Sequence, residues 1–289
     1  MTTSLVANIA RPISSALSTV FNSDNIGLLT NYGLLGVANP DAVIEALFAS
    51  GEQGAWYDPS DLSTMFQDSA GTTPVTAVGQ PVGRISDKSG NSNHAFQDTT
   101  SKKPILQNDG VNNYLAFDGV DDALATASID FTATDKMSVF SGVRKNSGNG
   151  YQTLIELGAG VVENGFSIFA PNNSNNNYDF RLATNARETS LVYAPPITNV
   201  LSVTHDIAGA SITTETFPRI NGAPVGFVGA GTVSGNFINA VVNIGARNQV
   251  SLPLNGRIYS LIVLGRLATT QEITNTEAWV ADKTGVVLP

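Results

Sequence analysis

Two histidines, twenty-four acidic residues and no cysteine limit the chemistry open to this 289-residue chain. Without cysteine there is no thiolate nucleophile, no disulfide and no Cys-based metal site. His94 lies in the loop text SGNSNHA and His205 ends the strand-like text VTHD. His205 and Asp206 are adjacent, so their side chains point apart along an extended chain. A histidine satisfied by its neighbours is the expectation for each. Neither a Gly-x-Ser-x-Gly elbow nor a His-Glu-x-x-His zinc motif occurs. The glycines between Gly226 and Gly235 lack the lysine or helix that cradles phosphate, and read as hairpin turns. Glycosidic cleavage needs two carboxylates across a cleft, but Glu156 stands alone in LIELG and Glu163 sits near a glycine turn. Asp118, Asp121 and Asp122 do cluster. Such a trio could ligate Ca²⁺, yet D-G-V-D-D lacks the rest of a calcium loop. In its strand–turn context it is expected to satisfy backbone N–H groups instead. The expectation is a chain that is no enzyme, with no catalytic residue, no cofactor and no metal.

Binding chemistry is better represented. Sugars pack on aromatic faces and exchange hydrogen bonds with amides, carboxylates and guanidinium groups. The loop Asn172–Asn177 offers such groups together with Tyr178 and Arg181, and Tyr151 and Tyr193 add more. Asn176, Tyr178 and Arg181 are the candidate ligand-binding residues. The competing reading is that Tyr178 and Arg181 only decorate a strand.

The elements that would position these residues are mostly strands. Turn signals separate apolar stretches at Ala55–Tyr57, Tyr114–Phe117, Met137–Val143, Gln152–Leu157, Gly165–Phe169, Tyr178–Leu182, Asn199–His205, Phe217–Ile220, Ala223–Phe227, Ala240–Ile244 and Gly256–Leu264. Asn221-Gly222 predicts a type I′ hairpin, which needs positive φ at both central residues. The run DKSGNSNH from Asp87 to His94 is a turn-rich loop. A short helix follows Asn39, with Pro40 at its first position, Asp41 on the helix dipole, and Val43, Ile44, Leu47 and Phe48 as its apolar stripe; Gly51 stops it. Ser60 to Phe66 has room for one helical turn. A C-terminal helix opens on Thr269 with Glu272 in a capping box and ends at Gly285, with Ile273, Thr276 and Val280 on one face beside Trp279.

Charged residues make up only 13% of the chain and hydrophobic residues 42%, against roughly 25% charged in ordinary soluble domains. A surface so poor in charge suits either a subunit packed in a larger assembly or a neutral-coated secreted protein. The net charge of −9 repels phosphate backbones, so nucleic acid is no expected partner. No signal peptide and no bilayer-spanning run is visible, so membrane insertion is not expected. Residues 1–38 contain only Arg11 and Asp24 as charges, and Leu5, Ile9, Ile13, Leu17 and Phe21 recur at steps of four. This reads as an attachment arm that buries those residues against a partner chain; folding back on its own body is the alternative. Three regions follow: the arm at 1–38, a short helix and linker at 39–53, and a β domain with its C-terminal helix at 54–289.

Five stretches carry a resemblance: DKSGNSNH, YLAFDGVDD, FPRINGAPV, NIGAR and LNGRIYSLIVLGRL, in that order from Asp87 to Leu267. Together they resemble laminin G-like, concanavalin A-like jelly-roll domains, over roughly Gly54 to Gly285. The resemblance implies a mainly β jelly-roll sandwich of two antiparallel sheets, with an N-terminal arm and short flanking helices. Sandwich glucanases carry their acids on one strand as Glu-x-Asp-x-x-Glu, and no such strand occurs here. GEQGAWYDPSDLSTMFQDSAG, TEAWVADKTGV and the leading NIARPISSAL also resemble a module of tailed-bacteriophage virion proteins. That likeness implies a virion structural protein made in the host cytoplasm, with other virion proteins as partners. It also implies a homo-oligomer, a trimer being one option, and a jelly roll that contacts host-surface glycans from a tail fibre or appendage. The alternatives are a capsid decoration protein that braces the head without a ligand and, third, a glycan-degrading enzyme.

Overall fold

The computed structural model describes residues 39–148, 150–158, 164–172, 176–183 and 185–289. The predicted arm at 1–38, with Leu5, Ile9, Ile13, Leu17 and Phe21, lies outside the described residues, as do Glu163 and part of the Asn172–Asn177 loop. The chain divides into two units, Met1–Ala42 and Val43–Pro289. In the described part of the first, Asn39 Oδ1 accepts from the Asp41 N–H at 3.0 Å, the role predicted for it.

The described residues form eighteen strands. In chain order these are β1 (Gly54–Tyr57), β2 (Met65–Phe66), β3 (Arg84–Ile85), β4 (Ala95–Phe96), β5 (Ile105–Asn108), β6 (Asn113–Asp118), β7 (Leu124–Asp130), β8 (Lys136–Lys145) and β9 (Thr153–Leu157). Then follow β10 (Phe166–Asn172), β11 (Asn177–Leu182), β12 (Arg187–Thr189), β13 (Ile197–Asp206), β14 (Thr216–Ile220), β15 (Ala223–Pro224), β16 (Phe227–Gly229), β17 (Asn239–Ile244) and β18 (Asn255–Leu264). The helices are α1 (Ala42–Glu45), α2 (Ile212–Glu215) and α3 (Thr270–Thr284).

All strand pairs are antiparallel. One sheet has eight strands in the order β15-β14-β13-β8-β18-β6-β5, with β1 beside β18; the other has ten, β16-β12-β11-β10-β9-β17-β7-β4-β3-β2. The main core lies between them and takes alternate residues from both, such as Val139, Leu201 and Leu261 from the first and Ile155, Phe180 and Val242 from the second. This is the mainly β sandwich expected from the sequence.

The predicted strand Ala223–Phe227 is in fact two. Ala223–Pro224 pairs with β14 in the eight-stranded sheet, whereas Phe227–Gly229 pairs with β12 in the other. Pro224 ends one pairing and Gly226 frees the chain to cross between sheets. The hairpin before it has the predicted turn, with Asn221 at φ 51° and Gly222 at φ 80°.

The two outer faces differ. On the eight-stranded sheet, Phe140, Val200, Ile262 and Leu264 point away from the main core into a second cluster with Ile44, Leu47, Phe48, Trp56, Trp279 and Val280. Helix α3 lies against β8, β13 and β18. Its capping box is present: Thr269 N–H donates to Glu272 Oε2 at 2.7 Å and Glu272 N–H to Thr269 Oγ1 at 3.3 Å. Gly285 closes it in the left-handed conformation at φ 70°. Close docking depends on Gly142 of β8, where an added Cβ would sit 2.3 Å from Thr284 Cγ2 and 3.3 Å from Val280 Cγ1. The predicted N-terminal helix is shorter than its stripe: α1 gives way to a 3-10 turn at Ala46–Phe48, and Val43 remains 36% exposed. Among the described residues no helix covers the outer face of the ten-stranded sheet, although β9 and β10 in its middle are buried along their whole length.

The DKSGNSNH loop joins β3 to β4 in the ten-stranded sheet and clasps β1 in the other. Asp87 Oδ1 accepts from the Trp56 and Ser89 N–H groups, both at 2.8 Å. Its Oδ2 accepts from Ser89 Oγ at 2.8 Å and the Asn93 N–H at 2.9 Å. Asn91 Nδ2 donates to Glu52 O at 2.8 Å, and Asn93 Nδ2 to Gly54 O at 2.7 Å. The amides and small hydroxyls of this motif therefore hold two sheets in register.

Candidate functional site

Strand register builds one continuous transverse row on the outer face of the ten-stranded sheet. Phe66 pairs with Arg84, Arg84 with Phe96, and Phe96 with Ala125. Ala125 pairs with Asn243, Asn243 with Glu156, Glu156 with Ser167, and Ser167 with Arg181. Directly opposed residues point to the same face. Neighbours of opposite parity, including Met65, Ile85, Ala95, Ile155, Ile244 and Phe180, belong to the main core. The row therefore faces away from it, but Ala125, Asn243, Glu156 and Ser167 in its middle are buried, and solvent reaches it at Phe66, Arg84 and Phe96 on one side and at Arg181 on the other. At a strand spacing of about 4.8 Å, eight strands carry it roughly 34 Å across the sheet.

At one end of the row, Phe169 is the centre of a charged platform. It lies two residues beyond Ser167 and pairs with Asp179. Arg181 Nε and Nη2 donate to Asp179 Oδ2 at 3.1 and 2.8 Å. Arg247 Nε donates to Glu156 Oε2 at 2.8 Å, and Ser167 Oγ donates to the same oxygen at 3.2 Å. Both guanidinium groups lie over the Phe169 ring, at 5.2 and 5.3 Å from its centroid. Tyr151 packs edge-on against Phe169 at 5.3 Å. Burial pushes the Asp179 carboxyl up from its ordinary range, opposed by Arg181. The Arg181 and Arg247 side chains remain 16% and 20% exposed while their acids are 0% exposed, so the arginines are the accessible groups.

At the other end, the clasp loop meets the row. Arg84, His94, Asn93, Ser92, Ser69 and Phe96 surround a depression of about 190 Å³. His94 Nδ1 accepts the Asp87 N–H at 3.0 Å, so a neutral ring carries its proton on Nε2. Burial, then Arg84, holds its pKa below the ordinary histidine value. Arg84 Nη1 donates to Ala70 O at 3.2 Å and its guanidinium lies 5.9 Å from the Phe66 centroid.

A larger depression lies elsewhere. It measures about 380 Å³ and is walled by Phe217, Pro218, Phe227, Ile273 and threonines between β14, β15 and α3. Arg219, its only charged wall residue, is bound to Glu277 at 2.7 Å. No converging set of free polar groups marks it as a site.

Of the predicted binding trio, only Arg181 reaches that outer face. Tyr178 has the opposite parity on β11 and is 0% exposed in the main core. Its OH donates to Asn199 Oδ1 at 2.8 Å, and Tyr193 packs on its ring at 5.3 Å. It cannot serve as a sugar platform, because residues three apart on a strand face opposite ways. Asn176 takes a positive φ of 59° in the turn. Its main-chain O accepts from Lys145 Nζ at 2.6 Å, while its Oδ1 packs where a Cβ on Gly148 would be. Asn176 shapes the turn. Phe96, Arg84 and Arg247 carry no signal in the sequence that marks them as site residues: NIGAR reads as a fold motif, and the two-residue strands β3 and β4 show no periodicity.

The acidic trio makes the turn bonds expected of it. Asp118 Oδ1 accepts from Val120 N–H at 2.7 Å and Asp121 N–H at 3.3 Å, and Asp122 Oδ2 from Asp118 N–H at 3.0 Å. One carboxylate oxygen from each of the three acids lies within 4.8 Å of the others. Burial, then the Asp118 charge, pushes Asp122 up to about 7. His205 is buried against Thr216 Oγ1 at 3.2 Å, and burial pushes it down to about 3. A neutral structural histidine results.

No family model matches the chain, and no curated protein matches it. Solved structures do. Trypanosoma rangeli sialidase in complex with 2,3-difluoro-KDN matches with a TM-score of 0.51 at 12% identity, over 80% of this chain and 33% of that one. Botulinum neurotoxin type C, which depends on interaction with two ganglioside molecules to get into cells, matches at 0.53 and 11% identity, over 82% and 53%. The binding domain of botulinum neurotoxin serotype G matches at 0.50 and 14% identity, over 67% and 48%. This chain spans between a third and about half the length of those proteins. At such identities the likeness is one of fold, and it places this chain among β-sandwich proteins.

Proposed function

We propose that the protein is a non-enzymatic glycan-contacting component of a tailed-bacteriophage virion. Residues 1–38 attach it to the particle or to sister subunits, and the ten-stranded sheet faces outward. The two solvent-reached ends of the transverse row, one at Arg84 and Phe96 and the other at Arg181 and Arg247, are the observation that carries the contact face. Exposed Phe96 offers an apolar surface for a sugar ring, and Arg181 and Arg247 lie beside Tyr151 and Phe169 as donors for hydroxyl pairs. Glu156 and Asp179 are each held by an arginine. This arrangement supports binding without cleavage, since bond breaking requires one carboxyl to donate and the other to attack or activate water. The virion assignment rests on the textual likeness and on the charge-poor, cysteine-free composition.

A glycan array with whole-cell binding tests the contact face. Phe96→Ala and Arg181→Gln should each weaken binding about tenfold, one charge-assisted bond or one stacking contact. Tyr178→Phe should bind as the parent does. Absence of glycan binding, or binding indifferent to both face variants, refutes the proposal. A chain that instead stiffens particles without binding glycan is a decoration protein. Sugar release from host polysaccharide would make it an enzyme. Deletion of residues 1–38 should abolish incorporation into particles, and normal incorporation refutes the attachment role.

A further inference from the structure

We propose that the depression between Arg84 and His94 is an acid subsite, binding the carboxylate of a uronic or similar acidic sugar at the clasp end of the row. The inference rests on the glycan-contact reading and names the sugar class. At about 190 Å³ the depression is smaller than the roughly 300 Å³ of the smallest drug-sized pockets. It therefore has room for one sugar unit or its acidic substituent, not for an oligosaccharide.

Its lining is one-sided in charge. Arg84 and His94 supply N–H donors and Ser69 and Ser92 hydroxyls, while the Asn93 NH2 is committed to Gly54 O and Gln53 Oε1; no carboxylate is in the wall. The acids of the flanking loops face main-chain donors instead. Asp68 accepts from the Thr72 and Thr73 N–H groups at 3.0 and 2.6 Å, and Asp87 is held by the clasp. Among the described residues no carboxylate pairs with Arg84, whose Nε is buried without a partner. Arg181, Arg187, Arg219, Arg247 and Arg266 each hold an acid, whereas Arg144 and Arg257, like Arg84, bond neutral oxygens instead, on Thr198 and Tyr259. A guanidinium without an acid in a chain of net charge −9 is a local attractor for anions. The ring of His94 is locked with Nε2–H as its free donor by the Asp87 N–H bond. Ser92 holds a left-handed φ of 61°, uncommon for a residue with a side chain. Phe96, 36% exposed, borders the same depression and suits the apolar face of the ring that bears the acid.

The test compares methyl glucuronide with methyl glucoside, which differ only by the carboxylate, and adds sodium acetate as a third probe. Amide and imidazole NMR shifts of the full chain are followed during titration. Glucuronide should bind about tenfold tighter than glucoside, shift the His94 Nε2 signal, and bind tighter than acetate. Arg84→Gln should erase the preference, and Arg84→Lys, lacking the planar fork, should keep only part of it. The wild-type His94 shift reports the site even where a variant misfolds. Equal affinity for the two glycosides, a preference that survives Arg84→Gln, or acetate binding as tightly as glucuronide overturns the subsite. If both glycosides then bind equally and still depend on Phe96, the glycan-contact reading stands and the acid subsite alone falls.

Discussion

Removing the Asp87 carboxylate tests the clasp that supports both sheets and the proposed acid subsite. Its four accepted bonds do not count equally. Ser89 is partly exposed, so its N–H and hydroxyl can turn to water. The Trp56 N–H belongs to a residue 1% exposed in β1; Asn93 is half-buried like Ser89, but its N–H is fixed by a side chain tied to Gly54 O at 2.7 Å. Those two donors lose charge-assisted partners worth about 1.5–2 kcal/mol each, which gives about 3–4 kcal/mol for Asp87→Ala. For a domain of this size that corresponds to a fall in Tm of roughly 6–16 °C. Asp87→Asn keeps one acceptor oxygen and turns an NH2 group toward a donor, so it should cost about half as much. Thermal and urea denaturation followed by circular dichroism measure both variants, and hydrogen exchange of the Trp56 amide should accelerate in Asp87→Ala. An Asp87→Ala protein within about 0.5 kcal/mol of the parent refutes the reasoning, because the bonds between the sheets would then contribute nothing net.

Two further perturbations follow from buried groups. Asp122 is held above its unfolded pKa, so its contribution favours the fold at low pH and is lost as pH rises through about 7. Stability measured by urea denaturation at pH 5 and pH 8 should fall with pH, and Asp122→Asn should flatten that slope; an unchanged slope contradicts the assignment. Gly142→Ala places a methyl group against Thr284 and Val280, which should destabilise the protein by about 1–3 kcal/mol as α3 is pushed off the sheet. A neutral effect in a denaturation curve would mean that the helix shifts freely.

The long strands were legible because their alternation is strong. Met137–Val143, Asn199–His205 and Gly256–Leu264 fall within β8, β13 and β18, and the Thr269 cap, Gly285 stop and Asn221-Gly222 turn are where the residues place them. The two-residue strands β2, β3 and β4 were not legible, since Met65–Phe66, Arg84–Ile85 and Ala95–Phe96 are too short to show a period. Those three strands are three of the ten in that sheet and carry Phe66, Arg84 and Phe96, one end of the row. The inward aim of Tyr178 is legible in its own strand. In NYDFRL, Tyr178, Phe180 and Leu182 alternate with Asp179 and Arg181, so a strand there cannot aim Tyr178 and Arg181 at one ligand. No local pattern could have brought Arg247 to Glu156, ninety-one positions away; only the pairing of β17 with β9 brings their segments together.

The chain has two tryptophans, and both sit in the helix-side cluster, where Trp56 meets Trp279 edge to face with ring centroids 5.8 Å apart. Intrinsic indole emission will therefore report how α3 seats on its sheet, and through Trp56 the state of the neighbouring loop. It is blind to the opposite side of the molecule, whose rings are phenylalanine and tyrosine. A sugar held at the Arg181 end could therefore saturate without changing the fluorescence, whereas one at the clasp end lies against the loop that Trp56 reports.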